Sequence, residues 1–367
     1  MSDSIDRSAP IPRIDKSQPI PRIDKSQPIL RVRDLKLHYF TSKGAVRALD
    51  GVSFDLYPGE TLGLVGESGC GKTTMGMALL NMPSPPGRIV EGSIVIDGTE
   101  IIGLSGRRLR RDLRWSKISM VFQGAMNCLT PVYTIRELMA ETYREHRPTA
   151  PLNHEGLEAL MIKYLRLVGL PESVLARYPH ELSGGMKQRV VIAMALFLEP
   201  KIIVMDEPTT ALDVIVQAQI LNLIKSLKRD LGLSYVFITH DLATEAEIAD
   251  RIIVMYAGRI AELGASEDIF GNDPPGRALH PHTGALHPYT QKLLASTPRL
   301  RRRVSELAFI PGAPPDLIAP PSGCRFAPRC SFARPKCLSE EPPAAELGPG
   351  HLVACWKAAE DPDYERS

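Results

Sequence analysis

The octad GESGCGKT, Gly66 to Thr73, is the stretch whose residue types and spacing most plainly carry chemistry. It fits G-x-x-x-x-G-K-T without deviation. Glycines at such spacing let backbone N–H groups face phosphate oxygens, and a helix N-terminus behind them adds a favourable dipole. Lys72 is placed to reach the β- and γ-phosphates of a nucleotide, and the Thr73 hydroxyl to ligate Mg²⁺. The candidate nucleotide-binding residues of the loop are Gly66, Ser68, Gly69, Cys70, Gly71, Lys72, Thr73 and Thr74. A second acidic element, IIVMDEP, ends in Asp206 and Glu207. Asp206 at the end of an apolar run can hold the Mg²⁺ shell, and Glu207 can polarise an attacking water as general base. Four of the six cysteines lie far from both, at Cys324, Cys330, Cys337 and Cys355, spaced C-x5-C-x6-C-x17-C.

The elements that must position these groups read as α/β. ETLGLVG is a strand running into the loop, and TTMGMALLNM the helix that follows it. KIIVMDEP is a short continuous apolar run, the mark of a strand buried on both faces of a parallel sheet. ILRVRDLKLHY alternates as a strand, VSFDL and SIVIDG are further strands, and residues 135–198 are mostly helical in pattern. SYVFITH and DRIIVMYAGRIAELG supply the remaining strands.

Three regions follow. Residues 1–29 hold a tandem PIPRIDKSQ repeat, rich in proline and charge, and form a disordered arm. Residues 30–264 form the nucleotide-binding domain. From 265 to 367 proline, arginine and histidine increase, ALHPHTG recurs as ALHPYTQ, and the cysteines appear. This tail has little apolar periodicity, and a small segment of that kind calls for a staple. No C-x2–4-C zinc knuckle is present, and four thiolates on a loose loop suit an iron–sulfur cube as well as zinc. Cys70 and Cys128 read as packing residues.

Net charge is +2 and the charged fraction 23%, so no bulk field points to nucleic acid, and RRLRRDLR at 107–114 reads as a solvated face. No apolar run approaches the ~20 residues of a membrane span, and no secretory signal is visible. The chain is expected on the cytoplasmic side.

LSGGMKQR at 182–189 resembles the signature motif of ATP-binding cassette (ABC) ATPases. The other marks of that family stand in order around it. Tyr39 matches the aromatic that stacks on adenine. Gln123 in MVFQ matches the Q-loop glutamine, which touches Mg²⁺ and the reacting water. Asp213 in ALD matches the D-loop, and His240 in FITHD the switch histidine that senses the γ-phosphate. The resemblance implies a RecA-like core with a β subdomain and a helical subdomain. It also implies a head-to-tail dimer, in which Ser183, Gly184 and Gly185 close over the ATP of a second cassette. GLVGESGCGKT, Met186, HPYTQKLL, IPGAPPDL and GCRFAPRC look like the ATP-binding subunits of dipeptide/oligopeptide importers, over Ile29 to Trp356. The pattern departs at FQGAMNCLTP, where the usual form has Asp-Pro and Asn-Pro. By resemblance the partners are two membrane permease subunits, a second and different cassette, and an extracellular substrate-binding protein. The cargo is peptide, with oligosaccharide or nickel as alternatives known in the same branch. The resemblance also favours a [4Fe–4S] cluster over zinc at the four cysteines, hence a small metal-stapled C-terminal domain. The competing classes are a non-transport ABC ATPase of DNA repair or the ribosome, and an iron–sulfur electron carrier.

Overall fold

The computed structural model describes residues 26–147, 152–271, 284–296 and 309–360. Most of the repeat arm, and the first ALHPHTG segment apart from Gly284, lie outside the described residues.

Among the described residues twelve strands are numbered in chain order: β1 (Leu30–Thr41), β2 (Gly44–Leu56), β3 (Thr61–Val65), β4 (Gly87–Ile96), β5 (Thr99–Glu100), β6 (Ile118–Val121), β7 (Ile202–Asp206), β8 (Ser234–Ile238), β9 (Arg251–Tyr256), β10 (Arg259–Ala265), β11 (Ala345–Gly348) and β12 (His351–Val353). They form an antiparallel sheet of order β2-β1-β4-β5 and a larger sheet of order β11-β12-β10-β9-β3-β8-β7-β6. The two sheets follow different sequence logic. Along β1 the buried Leu30, Val32, Leu35 and Leu37 alternate with exposed neighbours, the pattern slipping once at a bulge around Asp34. In β3, β6, β7 and β8 every residue is buried, as continuous apolar runs require when both faces are covered. These strands and β9 pair in parallel.

Helix starts follow the side chains that can cap them. Thr134 and Glu137 form a reciprocal capping box at Ile135–His146. Asn153 caps His154–Leu167, Ser183 caps Gly184–Leu196, Asp213 caps Val214–Leu231 and Asp241 caps Leu242–Ile248. Each such cap contributes about 1 kcal/mol. Two tight turns need left-handed residues in succession, Asp97-Gly98 after β4 and Ala257-Gly258 between β9 and β10. In the helical layer, the Tyr143 and Tyr164 rings meet Phe197 edge-on at 6.1 and 5.7 Å.

The C-terminal part is attached through the sheet. Strand β12 pairs antiparallel with β10, and β11 with β12. Val65, Ile252, Val254 and Tyr256 share one apolar cluster with Ile269, Phe270, Tyr289 and Phe326. Glu262 on β10 is fully buried and accepts hydrogen bonds from the Leu286 and His287 amides (2.8 and 3.1 Å) and from His351 Nε2 (2.8 Å).

This corrects the expectation of a metal staple. Among the described residues no group of three or more His, Cys, Asp or Glu side chains is placed to hold a metal ion. That overturns the iron–sulfur assignment of Cys324, Cys330, Cys337 and Cys355, and zinc gains no support either. The four cysteines are free and line one small apolar cavity with Phe326, Phe332 and Trp356. Burial pushes the Cys324 thiol up to about 11 and raises Cys330 and Cys355 as well, which favours neutral thiols. A tail without its own core is thus held by borrowed apolar surface and by extension of a sheet. Cys128 also differs from expectation: it is exposed, whereas Cys70 is buried.

Candidate active site

The phosphate loop bridges β3 and the helix Lys72–Leu79. Gly71 has φ 107°, and a Cβ there would lie 2.6 Å from the Ala48 carbonyl oxygen, so the last turn of the loop admits only glycine. Lys72 is buried, and its Nζ donates to the carbonyls of Gly66 at 2.7 Å and Glu67 at 3.1 Å. It also lies 3.7 Å from Cys70 Sγ. Ser68 and Gly69 are exposed at the tip. The Tyr39 hydroxyl lies 3.3 Å from Thr74 Oγ1, which puts the ring of a β1 residue beside the first turn of that helix.

Thr73 donates to Asp206 Oδ1 at 3.4 Å, while Asp206 Oδ2 is buried with no protein partner. Burial pushes the Asp206 carboxyl up to about 6; the Thr73 hydroxyl opposes this and the Glu207 charge adds to it. An orphaned, buried carboxylate oxygen beside a threonine hydroxyl fits an Mg²⁺ shell.

Glu207 begins where β7 ends, with φ 49° and its amide donating to Ile238 O at 2.8 Å. Three segments converge on its carboxylate. Gln123 Nε2 donates to Oε2 at 2.8 Å, Thr210 Oγ1 donates to Oε2 at 3.0 Å, and His240 Nδ1 lies 3.0 Å from Oε1. Burial raises the Glu207 pKa, but the bonds from His240, Thr210 and Gln123 outweigh it and leave the group below the ordinary glutamate range. An ionised carboxylate held by fixed donors at the end of a parallel strand can orient and polarise a water. Thr210 carries no mark in the sequence beyond standing three residues after Glu207, and its hydroxyl bonds that side chain rather than a backbone group.

The signature segment stands elsewhere. Ser183 and Gly184 are exposed, and Ser183 Oγ accepts from the Met186 amide at 3.3 Å. Asp213 caps the next helix through the Val216 amide at 2.9 Å. The two residues after Asp213 are open apolar groups, Val214 at 80% and Ile215 at 73% exposure. Among the described residues neither Ser183 nor Asp213 hydrogen-bonds to the phosphate loop, so the chain gathers Gln123, Asp206, Glu207, His240 and the loop but leaves these apart.

Sequence reasoning also missed two C-terminal residues at the loop. Arg329 holds the Glu67 carboxylate, and the Tyr289 hydroxyl accepts from the Glu67 amide at 2.8 Å. Nothing local in the sequence marks either contact.

Residues 49–210 match the family model for ABC transporters, and residues 262–337 match that for the C-terminal region of oligopeptide/dipeptide transporters. The chain is 42% identical over 334 residues to the oligopeptide transport ATP-binding protein OppD of Escherichia coli, covering 90% of this chain and 93% of that one. It is 41% identical over 328 residues to the dipeptide transport ATP-binding protein DppD of Bacillus subtilis, covering 89% and 93%. Among solved structures, the dimeric cassette MJ0796 in a post-hydrolysis state with ADP and Pi superposes with a TM-score of 0.57 at 28% identity, over 65% of this chain and 98% of that one. With a phosphate loop, an Asp-Glu strand end and a match over about nine-tenths of both chains, the chain belongs to the ATP-binding subunits of dipeptide/oligopeptide-type ABC transporters, on the P-loop ABC ATPase fold.

Proposed function

We propose that this chain hydrolyses ATP to drive import of di- and oligopeptides through two membrane permease subunits, fed by an extracellular substrate-binding protein. The observation that carries the reading is the convergence of Gln123, Thr210 and His240 on Glu207 beside the phosphate loop. In this reading Glu207 takes the proton of the attacking water. His240 and Gln123 hold the carboxylate in place and report the γ-phosphate to the segments that carry them. Lys72 and the amides of Gly69 to Thr74 bind phosphate oxygens, and Tyr39 offers its ring to adenine. Thr73 and Asp206, with the free amide oxygen of Gln123, would hold Mg²⁺, which neutralises charge on the β- and γ-phosphates.

The Ser183-Gly184-Gly185 helix start, exposed at Ser183 and Gly184, supports a head-to-tail pair with a second, different cassette, in which each signature covers the other chain's nucleotide. Asp213 and the exposed Val214 and Ile215 lie in the same kind of open surface, suited to that interface. Among the described residues no helix is long and apolar enough to cross a membrane; in this reading the chain attaches peripherally, through its permease partners, at the cytoplasmic face. The chain divides into a cassette over 30–264 and a C-terminal unit over 265–367, whose described part packs on the cassette.

The test is ATP turnover and solute uptake by the chain reconstituted with its permeases and binding protein. Peptide-stimulated turnover with peptide uptake is expected. Turnover indifferent to the permeases would favour a non-transport ATPase, and stimulation by oligosaccharide or nickel alone would overturn the peptide assignment.

A further inference from the structure

The phosphate loop is flexible by composition. Gly66, Gly69 and Gly71 all take positive φ, and glycine gives no torsional stiffness of its own. Glu67, the second residue of the loop, has every polar group occupied. Its carbonyl accepts from Lys72 at 3.1 Å, its amide donates to Tyr289 Oη at 2.8 Å, and its carboxylate takes a two-pronged pair from Arg329 at 2.7 and 3.0 Å. The last two come from the C-terminal part of the chain.

Both partners are themselves fixed. The Arg329 side chain is only 5% exposed. It also donates to Pro311 O at 2.9 Å, Ile310 O at 3.0 Å and Tyr256 Oη at 3.2 Å. A guanidinium with its donors spent in this way has one geometry to offer. Tyr289 is fully buried, with ring centroids 4.6 Å from Tyr256 and 5.3 Å from Phe326. It lies in the first turn of the helix Pro288–Ala295, whose His287 cap accepts from the Tyr289 amide at 3.0 Å and donates its own amide to buried Glu262. A rigid path therefore runs from β10 through His287 and Tyr289 to the loop.

We propose that Tyr289 and Arg329 are positioning residues for ATP binding: the C-terminal unit clamps Glu67 from behind and presets the phosphate loop in its ligand-ready shape. The proposal rests on the loop being the ATP site. Clamping it before binding lowers the ordering cost that a nucleotide otherwise meets.

Tyr289→Phe removes one oxygen and keeps the ring packing, and Arg329→Gln removes the charged fork. In the full-length chain, hydrogen exchange of loop amides 66–73 without nucleotide should speed up in both variants. MgATP dissociation constants should rise about threefold to tenfold, the equivalent of one lost hydrogen bond. In the reconstituted transporter KM should rise with kcat nearly unchanged, as loss of uniform binding predicts. A merely structural role would lower thermal stability without that split. Unchanged loop exchange and unchanged MgATP affinity in Tyr289→Phe, in a folded protein, would overturn the clamp, and this variant carries the test if Arg329→Gln does not fold. Failure of the parental chain to bind MgATP would instead remove the ATP-site reading, while a faster loop in the variants would still show the mechanical contact.

Discussion

The two anion cradles of this chain are built in opposite ways. The phosphate loop is rooted in the core: β3 beneath it is fully buried, Lys72 is buried, and Glu67 is gripped by Tyr289 and Arg329. The signature helix start has the same kind of chemistry, free N–H groups and a capping serine, yet Ser183 and Gly184 face solvent. One cradle is braced by its own chain. The other is presented outward, and the difference teaches where a partner would act: in the head-to-tail pair proposed above, the braced loop holds the nucleotide and the outward signature is the part a neighbour's nucleotide would meet.

The sharpest way to break that comparison is at the braced half. Glu207→Gln keeps a side chain that can bond Gln123, Thr210 and His240 but removes the base. ATP turnover in the assembled transporter should fall at least ~10²-fold, with MgATP binding retained in a filter or fluorescence assay. Turnover at the parental rate would remove Glu207 from catalysis.

The open half is tested next. Ser183→Arg should leave MgATP binding to this chain unchanged but cut hydrolysis at the partner cassette by about tenfold or more, since it puts bulk and a long side chain where a second anion cradle must close. Single-turnover measurement with one cassette disabled assigns the loss to its site. Full, concentration-independent turnover by the isolated chain would contradict the division into half-sites.

A smaller effect distinguishes the two cradles by pH. Burial holds the Asp206 pKa up to about 6, so the carboxylate is charged above that pH and neutral below it. As pH falls through about 6, Asp206 takes up a proton and loses its hold on Mg²⁺. The Mg²⁺ concentration for half-maximal turnover should then rise about tenfold per pH unit. A flat Mg²⁺ requirement between pH 7.5 and 5 would remove Asp206 from the metal shell. The signature, which has no titratable group in its Ser183-Gly184-Gly185 start, should contribute nothing to that slope.

Much of the fold was legible because its signals are local. The burial of β3, β7 and β8 follows from unbroken apolar runs, and the helix starts at Ser183 and Asp213 follow from residues that can cap them. The cysteine reading failed for a related reason. Spacing counts thiols, but only packing sets their environment, and here Cys324, Cys330, Cys337 and Cys355 line an apolar cavity in which burial raises the thiol pKa of three of them. The means of holding the tail was equally out of reach, because β12 pairing on β10 depends on an edge that exists only after the sheet forms.

The sequence alone determined the phosphate loop, the Asp206-Glu207 strand end and the order of the elements between them. Each depends on residues close in the chain, where glycine torsions, capping side chains and apolar period act directly. Tertiary structure decided which groups meet. Gln123 and His240 reach Glu207 from 84 and 33 residues away, and Arg329 reaches Glu67 across 262. Such contacts are selected by burial and by the need to satisfy every desolvated donor and acceptor once the core closes, and no local pattern encodes that choice.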